Sequence, residues 1–218
     1  MKILGIDEAG RGCVLGPLVV GAFCCDKEQL DAVVETGATD SKKLSVKKRE
    51  KILGLLPALG SCETIEISPK QIDNGNINRL EEQAFIKLIL RFRPDMVYID
   101  APTHPAGIPN FVKRLDFALR HHFQKLPAFV IEPKADLNYP IVGAASIVAK
   151  VNRDSHIKPL NAGSGYPSDP KTRIWIKGFF ERKELLHQSI RQRWGTVQTL
   201  EQEVLNEAKN SISPNKEQ

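Results

Sequence analysis

Three apolar runs in this chain lead into acids. Ile3 to Ile6 runs straight into the adjacent carboxylates Asp7 and Glu8. Met96 to Ile99 ends on Asp100. Pro127 to Ile131 leads through Glu132-Pro-Lys-Ala to Asp136, just ahead of a helical stretch. Acids at the ends of buried strands are costly unless something cationic compensates them. If the strands before Asp7 and Asp100 are neighbours, the two acids lie about one strand spacing apart, roughly 5 Å. Converging carboxylates with no histidine among them select hard divalent cations, Mg²⁺ or Mn²⁺, over zinc. Two such ions about 4 Å apart clamp the attacking and leaving oxygens of phosphodiester hydrolysis. A single Asp at a strand end is more often a turn residue. The case rests on the repetition and on Glu8 beside Asp7. No D-x-[DN]-x-[DN]-G calcium loop is present.

Next to the first acids stands Gly10-Arg11-Gly12. An arginine between glycines suggests backbone brought close to a ligand. A second cationic stretch runs from Lys42 to Arg49, with Lys43, Lys47 and Lys48 and no acid among them. It reads either as a solvated helix face or as a phosphate-contacting edge.

These groups converge only if the elements around them allow it. Ile3–Ile6 and Leu18–Cys25, separated by Leu15-Gly16-Pro17, read as an antiparallel hairpin. A short helix follows over 27–35, then a helix from Val46 to Leu56 with Ser45 as its N-cap, then a strand from Thr64 to Ser68. The next helix runs from Ile77 to about Arg91, with Leu80, Ala84, Lys87, Leu88 and Arg91 on helical spacing. Phe85, Ile86 and Ile89 widen that stripe, and Asn76 and Asn78 stand at its start as capping candidates. Strands at 95–100 and 127–131 alternate with helices at 110–123 and 141–151. Gly143, Ala144 and Ala145 let the last of these lie close to a sheet. Helices at 172–184 and 197–209 complete the chain, and 211–218 has the composition of a disordered tail. The pattern predicts an α/β fold with a mixed sheet: a hairpin edge, then parallel strands reached by helical crossovers. Ligands in such sheets gather at the carboxyl ends of the parallel strands.

The 218 residues suffice for one substantial domain. A net charge of +5 and a pI near 9.0 fit an anionic partner without demanding one. Cys13, Cys24, Cys25 and Cys62 lack zinc-ligand spacing and read as free thiols. No signal peptide or membrane-length apolar run is evident, so a cytoplasmic location is expected.

Gly5-Ile-Asp-Glu-Ala-Gly-Arg-Gly12 with Gly16-Pro17 resembles the opening of ribonuclease HII, particularly its archaeal branch. Asp40-Ser-Lys-Lys-Leu44, Lys134-Ala-Asp136, Ala144-Ala-Ser-Ile147 with Ala149-Lys150, and Gly163-Ser-Gly-Tyr-Pro-Ser-Asp-Pro170 follow in the same order. The resemblance implies a ribonuclease H-like mixed five-stranded sheet flanked by helices. It implies a catalytic core over 1–160 and a helical C-terminal region over 161–210 that contributes to substrate binding. The implied activity is metal-dependent endonucleolytic cleavage of RNA in RNA/DNA hybrids, and nicking 5′ of single ribonucleotides in duplex DNA, leaving 3′-hydroxyl and 5′-phosphate ends. The family's four metal-binding acids fall on Asp7, Glu8, Asp100 and Asp136. Its readers of the ribose 2′-hydroxyl fall on Gly10, Arg11, Gly12 and Tyr166. The 2′-hydroxyl is the group that tells RNA from DNA at a site.

Lys42, Lys43, Ser146 and Lys150 are candidate phosphate contacts. Asp154 is expected to pair locally, His121, His122 and His187 to be solvated, and Arg193-Trp194 to anchor the last helix. A monomer is expected. No Phe, Tyr or Trp follows Trp194, which leaves sliding-clamp binding through the tail doubtful. A nuclease or integrase acting on DNA alone, and a non-catalytic nucleic-acid-binding module, are the competing readings. The ribose-reading residues argue against the first. The acids argue against the second, because bare carboxylates repel phosphate.

Overall fold

The computed structural model describes residues 1–38 and 44–212, and side chains as far as Asn210. Lys42 and Lys43 lie outside the described residues, as do 213–218. Five strands form one sheet: β1 (Lys2–Ala9), β2 (Leu18–Asp26), β3 (Ser61–Ile67), β4 (Met96–Asp100) and β5 (Ala128–Glu132), in the order β3-β2-β1-β4-β5. β1 runs antiparallel to β2 and parallel to β4, while β3 is antiparallel to β2 and β5 parallel to β4. This is the mixed sheet that the alternation of strands and helices predicts. β1 is the middle strand, covered on both faces, which is why it reads as a continuous apolar run.

Side-chain alternation sorts the strands onto two faces. Leu4 and Ile6 of β1, with Val97 and Ile99 of β4, pack against α4 (Ile77–Phe92) and α5 (Ile108–Leu119). Ile3, Met96 and Tyr98 face the other way, toward α7 (Pro140–Ile157). α7 lies very close to the sheet because small residues meet there. A Cβ on Gly21 would stand 2.6 Å from the Ala145 carbonyl oxygen and from the Ala149 nitrogen, and one on Gly5 would overlap the Ile141 carbonyl. α7 also runs longer than the apolar run Ile141 to Val151, ending at Ile157.

The α4 stripe sits in a different phase from the one expected. Glu81, Ala84, Phe85, Leu88, Ile89 and Phe92 are buried, while Lys87 and Arg91 are exposed and Leu80 is half-buried. The shift arises because an acid, Glu81, occupies a buried position that apolar counting passes over. Asn76 caps α4, accepting from the amides of Asn78 and Arg79, and Ser45 caps α2 (Val46–Leu55) as expected, with the short helices α1 (Leu30–Glu35) and α3 (Pro69–Asn74) before and after it in the chain. The connection between β1 and β2 is not a tight turn at Leu15-Gly16-Pro17. It spans Gly10 to Pro17 and reaches into a third apolar cluster. There Val14, Leu15 and Ile157 meet Ile176 of α8 (Pro170–Glu181) and Val197 and Leu200 of α9 (Gly195–Ile212). α9 keeps Ser211 and Ile212 helical, although both fall in the stretch whose composition suggests a disordered tail. Among the described residues no helix is long and apolar enough to cross a membrane.

Candidate active site

The first carboxylates stand one step past the last registered pair of the central parallel strands. Ile6 pairs with Ile99, and Asp7 and Asp100 follow directly. Strand alternation sends Asp7 and Asp100 to the α7 face and Glu8 to the α4 face. The Ser146 hydroxyl of α7 donates to the Asp7 carboxylate, and the Glu8 amide donates to Asp7 Oδ1 at 2.7 Å. Asp100 Oδ1 accepts from the Ala135 amide at 3.1 Å, tying the end of β4 to α6 (Ala135–Asn138). Lys134 takes a left-handed backbone conformation (φ 60°) as the chain turns into α6. Such a conformation costs about 1 kcal/mol or more for a non-glycine residue. It places Asp136, itself buried, within electrostatic reach of Asp7.

The charges of Asp100 and Asp136 reach Asp7, and those of Asp7 and Asp100 reach Glu8. Burial, with the like charges of Asp100 and Asp136, pushes the Asp7 carboxyl up to about 7, against the opposing pull of Ser146 and the Glu8 amide. Burial, then Asp7, Glu81 and Asp100, raise Glu8 well above the usual carboxylate range, and Arg11 offsets part of this. Glu8 Oε2 is buried with no hydrogen-bond partner. Among the described residues no three His, Cys, Asp or Glu side chains are closed into a finished metal cage. The donor chemistry nevertheless fits a hard divalent cation: all-oxygen, anionic, mutually repelling, with one dry orphaned oxygen.

Beside the acids, Gly10 has φ +88°, and a Cβ there would stand 2.7 Å from the Pro17 carbonyl oxygen. Only glycine fits that turn. Gly12 is exposed and faces Tyr166, whose Cε1 would lie 3.9 Å from a Cβ at that position. Tyr166 is 43% exposed and shares a hydrogen bond with the Cys13 thiol. Cys13 Sγ accepts from Arg153 Nη2 at 2.9 Å, and the same nitrogen donates to the Ser164 carbonyl at 2.7 Å. The structure thus brings the glycine turn and the tyrosine together.

The Arg11 side chain points to α4, where it pairs with Glu81 and donates to Asn78 Oδ1. Its main chain, not its guanidinium, therefore lines the turn beside Tyr166. Lys150 ion-pairs with Asp154 at 2.8 Å, and Asp154 also meets Arg153 at 3.1 Å and Arg49 at 3.6 Å. Asp154 pairs locally, as expected. A cavity of about 550 Å³ opens there, lined by Arg49, Lys150, Arg153 and Ser164. His121 and His122 are exposed, whereas His187 is half-buried with its ring 5.6 Å from that of Trp175. In the Arg193-Trp194 pair, Trp194 packs into the core and Arg193 is exposed.

Sequence reasoning missed four buried charges: Arg49, read as part of a solvated or phosphate-contacting face, Glu81, Arg153 and Arg191. Each is held by partners far away in the chain. A signal existed for Glu81, an acid in phase with Ala84, Phe85 and Leu88. Arg191 lies two residues before Arg193, in the stretch read as an anchor.

A β3-β2-β1-β4-β5 mixed sheet with carboxylates at the ends of its adjacent parallel strands is the architecture of the ribonuclease H-like fold. The family model for ribonuclease HII matches residues 4–197. The ribonuclease HII of Thermococcus sibiricus is 38% identical over 221 residues, covering 97% of this chain and 96% of its own. The chain belongs to the ribonuclease HII family. It is a hydrolase of phosphodiester bonds, with the ribonuclease H endonuclease activity on RNA/DNA hybrids that the family carries.

Among solved structures, the ribonuclease H2 of Pyrococcus horikoshii OT3 superposes with a TM-score of 0.81 at 34% identity, covering 94% of this chain and 99% of that one. The Archaeoglobus fulgidus RNase HII, solved as a complex with PCNA, gives a TM-score of 0.78 at 35% identity, covering 89% and 95%. The doubt about clamp binding is not borne out by this neighbour, which was solved on its clamp.

Proposed function

We propose that the chain nicks duplex DNA on the 5′ side of single embedded ribonucleotides, as well as cutting RNA/DNA hybrids, and leaves 3′-hydroxyl and 5′-phosphate ends. In this reading Asp7, Glu8, Asp100 and Asp136 hold two Mg²⁺ or Mn²⁺ ions, and Gly10, Arg11, Gly12 and Tyr166 read the ribose 2′-hydroxyl. One observation carries it: four acids, Asp7 and Asp136 buried and Glu8 and Asp100 half-buried, at the ends of β1 and β4 and in α6, beside a glycine turn that faces a half-exposed tyrosine.

Divalent ions bound there supply activation of the attacking water and charge neutralisation at the leaving oxygen. The residues do the rest. Ser146 and the Glu8 amide hold the Asp7 carboxylate in one orientation. The Asp100 bond to the Ala135 amide fixes Asp136 relative to β4. Main-chain groups of the 10–12 turn offer polar contacts to a 2′-hydroxyl, and the Tyr166 ring gives the sugar–base unit an apolar surface. Lys42, Lys43 and Lys150 line the duplex phosphates, and the helices beyond residue 160 form part of the substrate surface. The enzyme acts as a cytoplasmic monomer in removing ribonucleotides from DNA.

The test is a DNA duplex carrying one ribonucleotide, incubated with Mg²⁺ or Mn²⁺. A nick 5′ of the ribonucleotide is expected, with the all-DNA duplex left intact. No nick at any metal concentration overturns the reading, and equal cutting of all-DNA duplex favours a DNA nuclease.

A further inference from the structure

Arg191 is fully buried, yet among the described residues it forms no ion pair. Its guanidinium is spent on main-chain carbonyls. Nη2 donates to Gly10 O at 2.6 Å, Nη1 to Arg11 O at 2.9 Å and Nε to Gly16 O at 3.0 Å. Its own amide donates to the Val14 carbonyl at 2.9 Å. One side chain thus spans both ends of the connection between β1 and β2. The planar five-donor fork of arginine suits such a fan, and a lysine ammonium does not reproduce it.

The segment that carries Arg191 is itself fixed. Asp73 accepts from the amides of Gln192 at 2.8 Å and Arg193 at 3.1 Å. The guanidinium carbon lies 5.0 Å from the centre of the Trp194 ring. Leu15 and Ile190 form a short antiparallel bridge. Burying a cation without a carboxylate is expensive, so hydrophobic stability is a poor reason for its presence. Geometry is a better one. The carbonyls it grips are those of Gly10 and Arg11, in the turn whose Gly12 faces Tyr166.

We propose that Arg191 is a positioning residue for ribose selection: by gripping the carbonyls of Gly10, Arg11 and Gly16 it fixes the turn that stands against Tyr166, and so sets the preference for a ribonucleotide over a deoxyribonucleotide. This rests on the Gly10-Arg11-Gly12 turn being the ribose reader.

The test compares wild type, Arg191→Lys and Arg191→Met. Affinity is measured by fluorescence anisotropy in chelator, for a DNA duplex with one ribonucleotide and for the same duplex in all-DNA form. Cleavage constants are measured in Mg²⁺, and folding by melting. Arg191→Met is expected to lower kcat/KM on the ribonucleotide duplex by about tenfold or more, since small misplacements near a reacting group are costly. Its affinity for the all-DNA duplex should stay within about twofold, a pattern that marks lost discrimination rather than lost binding surface. The ratio of the two affinities should therefore fall toward one, with Arg191→Lys in between. A melting, folded Arg191→Met that keeps the wild-type ratio overturns the proposal. If Arg191→Met does not melt cooperatively, Arg191→Lys and Asp73→Ala decide the matter. Both should lower the ratio, and an unchanged ratio in both overturns it. A wild type with no preference for the ribonucleotide overturns the ribose-reader reading as well, so the two failures are distinguishable.

Discussion

At Asp7, the burial that gathers the acids also burdens the fold when no cation is bound. A carboxyl raised to about 7 in the folded chain, against 3.8 when unperturbed, binds its proton more tightly folded than unfolded. Stability therefore falls as pH rises through about 4 toward about 7, and the full cost applies above that range. That cost is up to about 4 kcal/mol in the absence of metal. The protein in chelator should melt higher near the acid end of that window than at its alkaline end, and Mg²⁺ should close the gap. Asp7→Asn keeps the shape and removes the charge. It should abolish hybrid cleavage, leave hybrid binding mostly intact, and raise the melting temperature in chelator at alkaline pH. Full cleavage by Asp7→Asn would remove Asp7 from the metal site. Asp7 and Asp100 were legible because an apolar run ending on an acid is a local pattern. Glu81 left only its helical phase as a signal, because its partner Arg11 lies 70 positions away.

At the scale of elements, two periodicities build the site. Alternation along β1 divides Asp7 from Glu8, so that one acid meets Ser146 of α7 and the other lies near Glu81 of α4. Both strand ends and α7 were legible from apolar runs and small residues. The phase of α4 was not, since it places an acid, Glu81, at a buried position that apolar counting treats as surface. The loop ahead of α8 shows how a cap serves the site. Asp169 accepts from the Ser164 and Lys171 amides. Its hydrogen bonds from Ser164, then from the backbone, hold its carboxyl down to about 2. A depressed carboxyl adds stability above its unfolded pKa, and that is lost as pH falls through about 4 toward about 2. Asp169→Ala should lower the melting temperature by about 3 °C at neutral pH, in line with loss of one N-cap. It should also raise KM for the ribonucleotide duplex, since the freed loop carries Tyr166. A raised KM without any thermal loss would mean that Asp169 contacts the substrate directly.

For the whole molecule, the question is whether the chain divides near residue 160. The resemblance implies a core with a helical region packed on it, although no linker in the sequence divides the two. The hydrogen bonds of the β1–β2 connection give a different account of stability. The amides of Val14 and Leu15 donate to the Gly165 carbonyl, and that of Gly16 donates to the Ser189 carbonyl. Arg191 takes the carbonyls of Gly10, Arg11 and Gly16. Val14, Leu15 and Ile157 are buried mainly against residues from 160 onward. Backbone groups that are paired only across such a boundary become unsatisfied when one side is removed. None of these pairings has a local signature, since a main-chain carbonyl in a turn looks the same in sequence whatever grips it. Residues beyond 160 are therefore expected to fold as one unit with the turn they support, even where their role in substrate handling is separate. Differential scanning calorimetry of the intact chain should give a single two-state transition, with calorimetric and van't Hoff enthalpies in agreement. A chain ending at Leu160 should show no cooperative transition at all. A truncated chain that melts cooperatively and retains the strand content of the sheet would establish the first 160 residues as an independent domain, and would move the C-terminal helices from folding to substrate binding alone.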